Sequence, residues 1–180
     1  MGMGLVDKLK QEFDLSVEWL EFEIHPDTPQ EGMPLSTMFP QLDAQNMFRH
    51  LRDMAAPYGI AFLDISLISN SRMSLEASEF AKEQGMFDQF HRALFQAYFS
   101  QGMDIGNLEV LTQIGHESGL DRDALTKALQ TGKYRPTLEN MRKKAASLGV
   151  TAAPTFIIED RDRIVGAQPI DVFRKKLRHY

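Results

Sequence analysis

The sequence predicts an α/β fold that carries an inserted, all-helical lobe, and three stretches predict it. The first is Gly149-Val150-Thr151-Ala152-Ala153-Pro154-Thr155-Phe156-Ile157-Ile158, where two small residues and a proline stand before a run of β-formers. The second is Val17 to Ile24, which alternates Leu20, Phe22 and Ile24 with Glu21 and Glu23. The third is residues 70–133, where apolar residues recur at helical spacing and no strand pattern appears. Strand patterns at both ends with helices between them place the lobe as an insertion. The expected division is 1–69 and 134–180 for the α/β part and 70–133 for the lobe.

Taken in order, Leu5, Leu9 and Phe13 lie four residues apart, which predicts an amphipathic helix over 4–13. Val17–Ile24 predicts a strand with one wet face, and His25-Pro26-Asp27-Thr28-Pro29 ends it. Asp43 is a candidate cap for a helix over 44–56 that closes at Pro57-Tyr58-Gly59. Ile60–Ile65 is a short strand or an extended connection. Asn70 or Ser71 can cap a helix that reaches Gln84 and stops at Gly85. Phe87, Phe90, His91, Leu94, Phe95, Tyr98 and Phe99 share one face of the next helix. Shorter helices are expected over 108–116 and 124–129, and Pro136 suits the first turn of another that ends at Gly149. Past Pro154, the polar stretch Glu159–Arg163 is a turn, Ile164-Val165 leads out of it, and Ile170–Leu177 has helical spacing.

Composition narrows the function. A chain of 180 residues with 43% hydrophobic and 25% charged residues can bury a core without disulfides or metal. A net charge of −5 disfavours a nucleic-acid backbone or an anionic membrane as partner. No apolar run approaches a membrane span and no signal-peptide pattern opens the sequence, so the expected location is cytoplasmic. The absence of cysteine suits a reducing compartment. His25, His50, His91, His116 and His179 make no metal-binding spacing, so neither a metal nor another cofactor is expected. His91 and the aromatic residues beside it read as core, and the ten methionines, which do not cluster, as filler. Arg174-Lys175-Lys176 read as a solvated helix end. Ser69, Ser71 and Ser74 lie in no nucleophile-elbow motif.

Several stretches together resemble the DsbA family, in particular its FrnE-like branch. Val17–Asp27 (Val-Glu-Trp-Leu-Glu-Phe-Glu-Ile-His-Pro-Asp) is similar to the family's second strand and its exit. Asn-Ser-Arg-Met-Ser-Leu-Glu-Ala over 70–77 resembles the start of its helical lobe, and Phe90–Phe99 the lobe's second helix. Gly-Val-Thr-Ala-Ala-Pro-Thr-Phe and Gly166-Ala167-Gln168-Pro169 match two further signatures. The resemblance implies a thioredoxin-like fold and dithiol–disulfide oxidoreduction on protein or small-molecule thiols. It also implies a cis proline at Pro154 beside a substrate groove, with Ala153 presenting its backbone to an extended peptide or thiol ligand. Ala153 and Pro154 are therefore the expected substrate-binding residues, and no residue of this sequence is expected to be catalytic.

The departure from the family is equally clear. Its chemistry uses a Cys-x-x-Cys pair at the start of the first helix, and this sequence has no cysteine. Met1-Gly2 fits the end of that motif, so the resemblance places the first strand and both cysteines just before Met1. The expectation is a sequence lacking its N-terminal segment, or else a redox-dead relative. In the family topology the first strand lies between Val17–Ile24 and the strand after Pro154. Each unpaired buried backbone group costs about 1–3 kcal/mol, so that slot must be refilled by re-pairing, by omitted residues or by another chain, a homodimer included. Two alternatives stand beside the family reading. One is a non-catalytic module that binds an extended segment beside Pro154. The other is a glutathione-dependent isomerase or transferase, against which Gly166-Ala167-Gln168-Pro169 replaces that branch's Gly-x-Asp-Arg.

Overall fold

A computed structural model describes residues 1–180 and shows nine α-helices and four short strands. Helix α1 spans Gly2–Lys10 and buries Leu5 and Leu9, the expected apolar stripe. Strand β1 (Met33–Pro34) runs into the single-turn helix α2 (Leu35–Met38). Helix α3 covers Ala44–Ala55, and the Asp43 carboxylate accepts the Asn46 N–H at 3.0 Å as its cap. Ile60–Ile65 is the extended connection, and β2 (Leu67–Ile68) follows it to pair antiparallel with β1.

The lobe is built from α4 (Arg72–Glu83), α5 (Phe87–Phe95), α6 (Leu108–Glu117), α7 (Arg122–Thr131) and the start of α8 (Arg135–Ser147). Asn70 rather than Ser71 supplies the side-chain cap of α4, accepting the Arg72 N–H at 3.1 Å. Gly85 ends that helix at φ +69°, a left-handed turn that glycine adopts without penalty. A π-type turn, Gln96–Ser100, finishes α5. Ala77, Phe80, Phe90, Leu94, Leu111, Ile114, Leu125 and Leu129 belong to one buried cluster of 14 side chains.

A separate, smaller core joins the two ends of the chain. Leu5 and Leu9 of α1 meet Ile164 of β4 (Asp162–Val165) and Phe173 of α9 (Ile170–Leu177). Phe156 of β3 (Thr155–Ile158) packs edge-on against Phe173, ring centroids 4.8 Å apart. The last helix is not simply solvated at its basic end. Arg174 bridges Glu12 at 2.6 Å and Asp171 at 2.9 Å, and Lys176 reaches Asp162 at 2.5 Å. The Arg174 guanidinium makes charge-assisted hydrogen bonds to both carboxylates.

One expected strand is absent. Val17–Ile24 is extended but pairs with nothing, and from Asp14 through Ile24 the backbone makes no backbone–backbone hydrogen bond. Its faces are also reversed. Glu21 and Glu23 turn toward the lobe, while Leu20 and Ile24 are 41% and 49% exposed. Side chains on α4 hold this face inward: Arg72 bonds Glu23, and Lys82, beside Glu21, donates to the Trp19 carbonyl. Alternation gave the period of this segment correctly and its inside face wrongly, because Arg72 and Lys82 on α4 bond the Glu23 carboxylate and the Trp19 carbonyl and draw that face inward.

Leu125 is fully buried and fills the space over Gly115, where even a β-carbon would strike its side chain. Leu125→Ala is expected to cost about 2–5 kcal/mol, read as a lower urea midpoint with an unchanged slope.

Candidate functional site

The candidate site forms where the chain's two ends meet, at Pro154. The Ala153–Pro154 peptide bond is cis. The N-terminal end of α1 abuts the proline ring: a β-carbon on Gly2 would lie 3.5 Å from Pro154 Cβ and 3.8 Å from the Phe156 ring. A helix start, with its free N–H groups and positive dipole end, therefore faces the proline loop.

Three contacts fix the loop. The Thr155 hydroxyl donates to the Ala152 carbonyl at 2.6 Å, and the Gly166 N–H donates to the Pro154 carbonyl at 2.8 Å. Gly166 stands at φ +81°, a conformation that a side chain would strain. Arg163 donates to the carbonyls of Leu148 and Gly149, which closes the end of α8 onto the strand pair.

The register of β3 and β4 decides which backbone groups are free. Phe156 pairs with Ile164 and Ile158 with Asp162, and the Pro154–Gly166 bond continues the same ladder. In an antiparallel pair, successive residues alternate between bonding the partner and pointing away from it. Pro154, Phe156 and Ile158 therefore face β4, while Thr155 and Ile157 turn their N–H and C=O groups to the opposite edge. No strand lies there, because β3 has β4 as its sole neighbour. The exposed Ala153 lies in line with them and makes no hydrogen bond within the chain. The result is an open edge, Ala153–Thr155–Ile157, next to the proline. Sequence reasoning named Ala153 and Pro154 and missed Thr155, Ile157 and the Arg163 clamp. A period of two starting at Ala153 groups Thr155 and Ile157 with it, but that this set faces away from β4 follows only from the observed register.

Two strongly perturbed titratable groups lie on and against the lobe. Glu21 is pushed up to about 7, chiefly by burial and only partly offset by Lys82. His91 is pushed down to about 4 by burial, with Lys82 and Arg92 adding to the shift. Its Nδ1 lies 3.5 Å from the Ser78 hydroxyl, in the core position expected of it. Ser74 and Ser78 donate to helix carbonyls and are packing residues. No three His, Asp or Glu side chains converge in a way that could hold a metal ion. A cavity of about 260 Å³, lined by ten apolar residues including Leu35, Phe48 and Phe62, excludes Ala153 and Pro154.

Arg163→Met removes both bonds to the end of α8 and keeps most of the packing of the stem. It is expected to lower stability by about 1–2 kcal/mol in urea unfolding, given the exposure of the guanidinium. An unchanged midpoint would show that the clamp does not hold the loop.

Comparison with known proteins agrees with this architecture. The model of the DsbA-like thioredoxin domain matches residues 4–178. The uncharacterized protein YwbO of Bacillus subtilis is 32% identical over 167 residues, covering 91% of this chain and 82% of its own length. The crystal structure of a probable DsbA oxidoreductase from Streptomyces coelicolor superposes with a TM-score of 0.90 at 22% identity, covering 99% of this chain and 82% of that one. A candidate protein disulfide isomerase from Nitrosomonas europaea gives 0.68 at 18% identity, covering 97% and 87%. At such identities the two structures establish the thioredoxin-like fold alone. With the family match spanning nearly its whole length, the chain belongs to the DsbA-like thioredoxin-domain family.

Proposed function

We propose that this chain docks an extended, thiol- or disulfide-bearing polypeptide along the edge Ala153–Thr155–Ile157, and that its own residues carry out docking rather than thiol exchange. The observation behind the proposal is the row of backbone donors and acceptors left unpaired beside Pro154. An added strand would satisfy them, with backbone bonds supplying affinity and alternate side chains supplying selectivity. Membership of the DsbA-like family supports a thiol or disulfide substrate class.

Thiol exchange starts with a thiolate attacking a disulfide sulfur. None of these 180 residues is a cysteine, and no serine, threonine or other hydroxyl can accept and release the electron pair reversibly as sulfur does. The chain can therefore position a substrate strand and hold it beside the N-terminal end of α1, but it cannot perform the redox step. No helix is long and apolar enough to cross a membrane. A cytoplasmic location is part of the same proposal, supported by the absence of cysteine.

Two assays test this reading. In insulin-type disulfide reduction, the chain is expected to show no turnover above buffer, and clear turnover would contradict the proposal. In titrations followed by amide chemical shifts, a reduced, extended peptide is expected to move the signals of Ala153, Thr155 and Ile157. N-methylating alternate residues of that peptide removes two or more ladder bonds and is expected to weaken binding about tenfold or more. Equal affinity for both peptides, or shifts caused by glutathione alone, would favour a small-thiol site over a strand edge.

A further inference from the structure

The segment Asp14–Ile24 is held by side chains rather than by a ladder. Lys82 Nζ donates to the Trp19 carbonyl at 2.7 Å and to Glu79 at 2.5 Å, and it lies 3.7 Å from Glu21 Oε1. Arg72 holds Glu23 at 3.1 Å. The Trp19 ring rests against Phe87 and His91, with centroids 6.5 and 6.4 Å apart. Glu21 is 8% exposed, and its Oε1 has no hydrogen-bond donor. One ammonium thus serves two buried carboxylates. Beside this cluster opens a cavity of about 660 Å³, lined in part by Trp19, Glu79, Lys82 and Phe87, through which water can reach the site once the segment lifts.

From this arrangement we infer that Glu21 is a proton-operated latch: its protonation keeps Asp14–Ile24 docked on the helical lobe, and its ionisation releases the segment together with Trp19. The physical reason is charge balance. With Glu21 neutral, Lys82 and Glu79 form a complete pair and the carboxyl is buried without charge. With Glu21 ionised, a second negative charge is enclosed with no donor for Oε1, and lifting the segment into water relieves it.

The groups that face the latch are few. On α4 they are Lys82 and Glu79, and on α5 His91 lies beyond Trp19. Lys10, Glu18 and Asp88 stand at the mouth of the cavity. His91, held near 4, stays neutral over the range in which Glu21 titrates. The sign follows from linkage. The docked carboxyl, raised from 4.5 to about 7, binds its proton more tightly than the released one. Docking is therefore strongest below about pH 4.5, weakens as pH rises to about 7 and is constant above that. The equilibrium changes by on the order of a hundredfold across that window.

Trp19 is the only tryptophan and reports directly. Acrylamide quenching of its fluorescence is expected to increase between roughly pH 5 and pH 7.5. In Glu21→Gln it should stay at the low-pH value throughout. Lys82→Met, which removes the shared cation, should move the midpoint to higher pH. Amide exchange of residues 17–24 should follow the same pH profile, corrected for intrinsic rates, while exchange in α6 and α7 should not. A wild-type chain with no transition, or a transition that survives in Glu21→Gln, would overturn the latch. A profile that disappears in His91→Asn but not in Glu21→Gln would overturn it as well.

Discussion

Backbone N–H and C=O groups must find partners, and two extended segments of this chain lack them. Strand β3 is bonded on one side alone, and Asp14–Ile24 makes no backbone ladder at all. Much of the surrounding structure accommodates this shortage. The two ends of the chain close on a core of Leu5, Leu9, Ile164 and Phe173, reinforced by the Arg174–Glu12 bridge between α9 and the turn after α1. The N-terminal segment leans on the lobe through Lys82 and Arg72 instead of on a neighbouring strand. The candidate site beside Pro154 is the free edge of β3.

The two halves differ in how they are stabilised. The lobe has a continuous apolar cluster of 14 residues and stands on packing. The α/β part has a four-residue cluster and depends more on loop clamps and ion pairs, several of them exposed. Local opening is therefore expected to concentrate around the proline loop and Asp14–Ile24.

Helices were the most legible part of the sequence. The spacing of Leu5 and Leu9, the cap at Asp43, the stop at Gly85 and the proline in the first turn of α8 are local signals, and the structure follows each of them. The strand β3 and its turn were legible for the same reason. Three features were not. The pairing of Met33–Pro34 with Leu67–Ile68 joins residues far apart in sequence through two residues on each side, too few to leave a pattern. The inward turn of Glu21 and Glu23 depends on Lys82 and Arg72, which no local rule connects to them. At the site, Pro154 announced itself, but the free edge at Thr155 and Ile157 follows from the register against β4, a tertiary fact.

The most direct test of the account is residue-resolved amide hydrogen exchange along β3 in the unliganded chain. Alternation in one strand is the signature of a ladder on one side only. Phe156 and Ile158, which face β4, should exchange slowly, while Ala153, Thr155 and Ile157 should exchange near the rate of unprotected amides. Uniform protection across these residues would mean that the edge is already paired, and the proposed docking site would not exist.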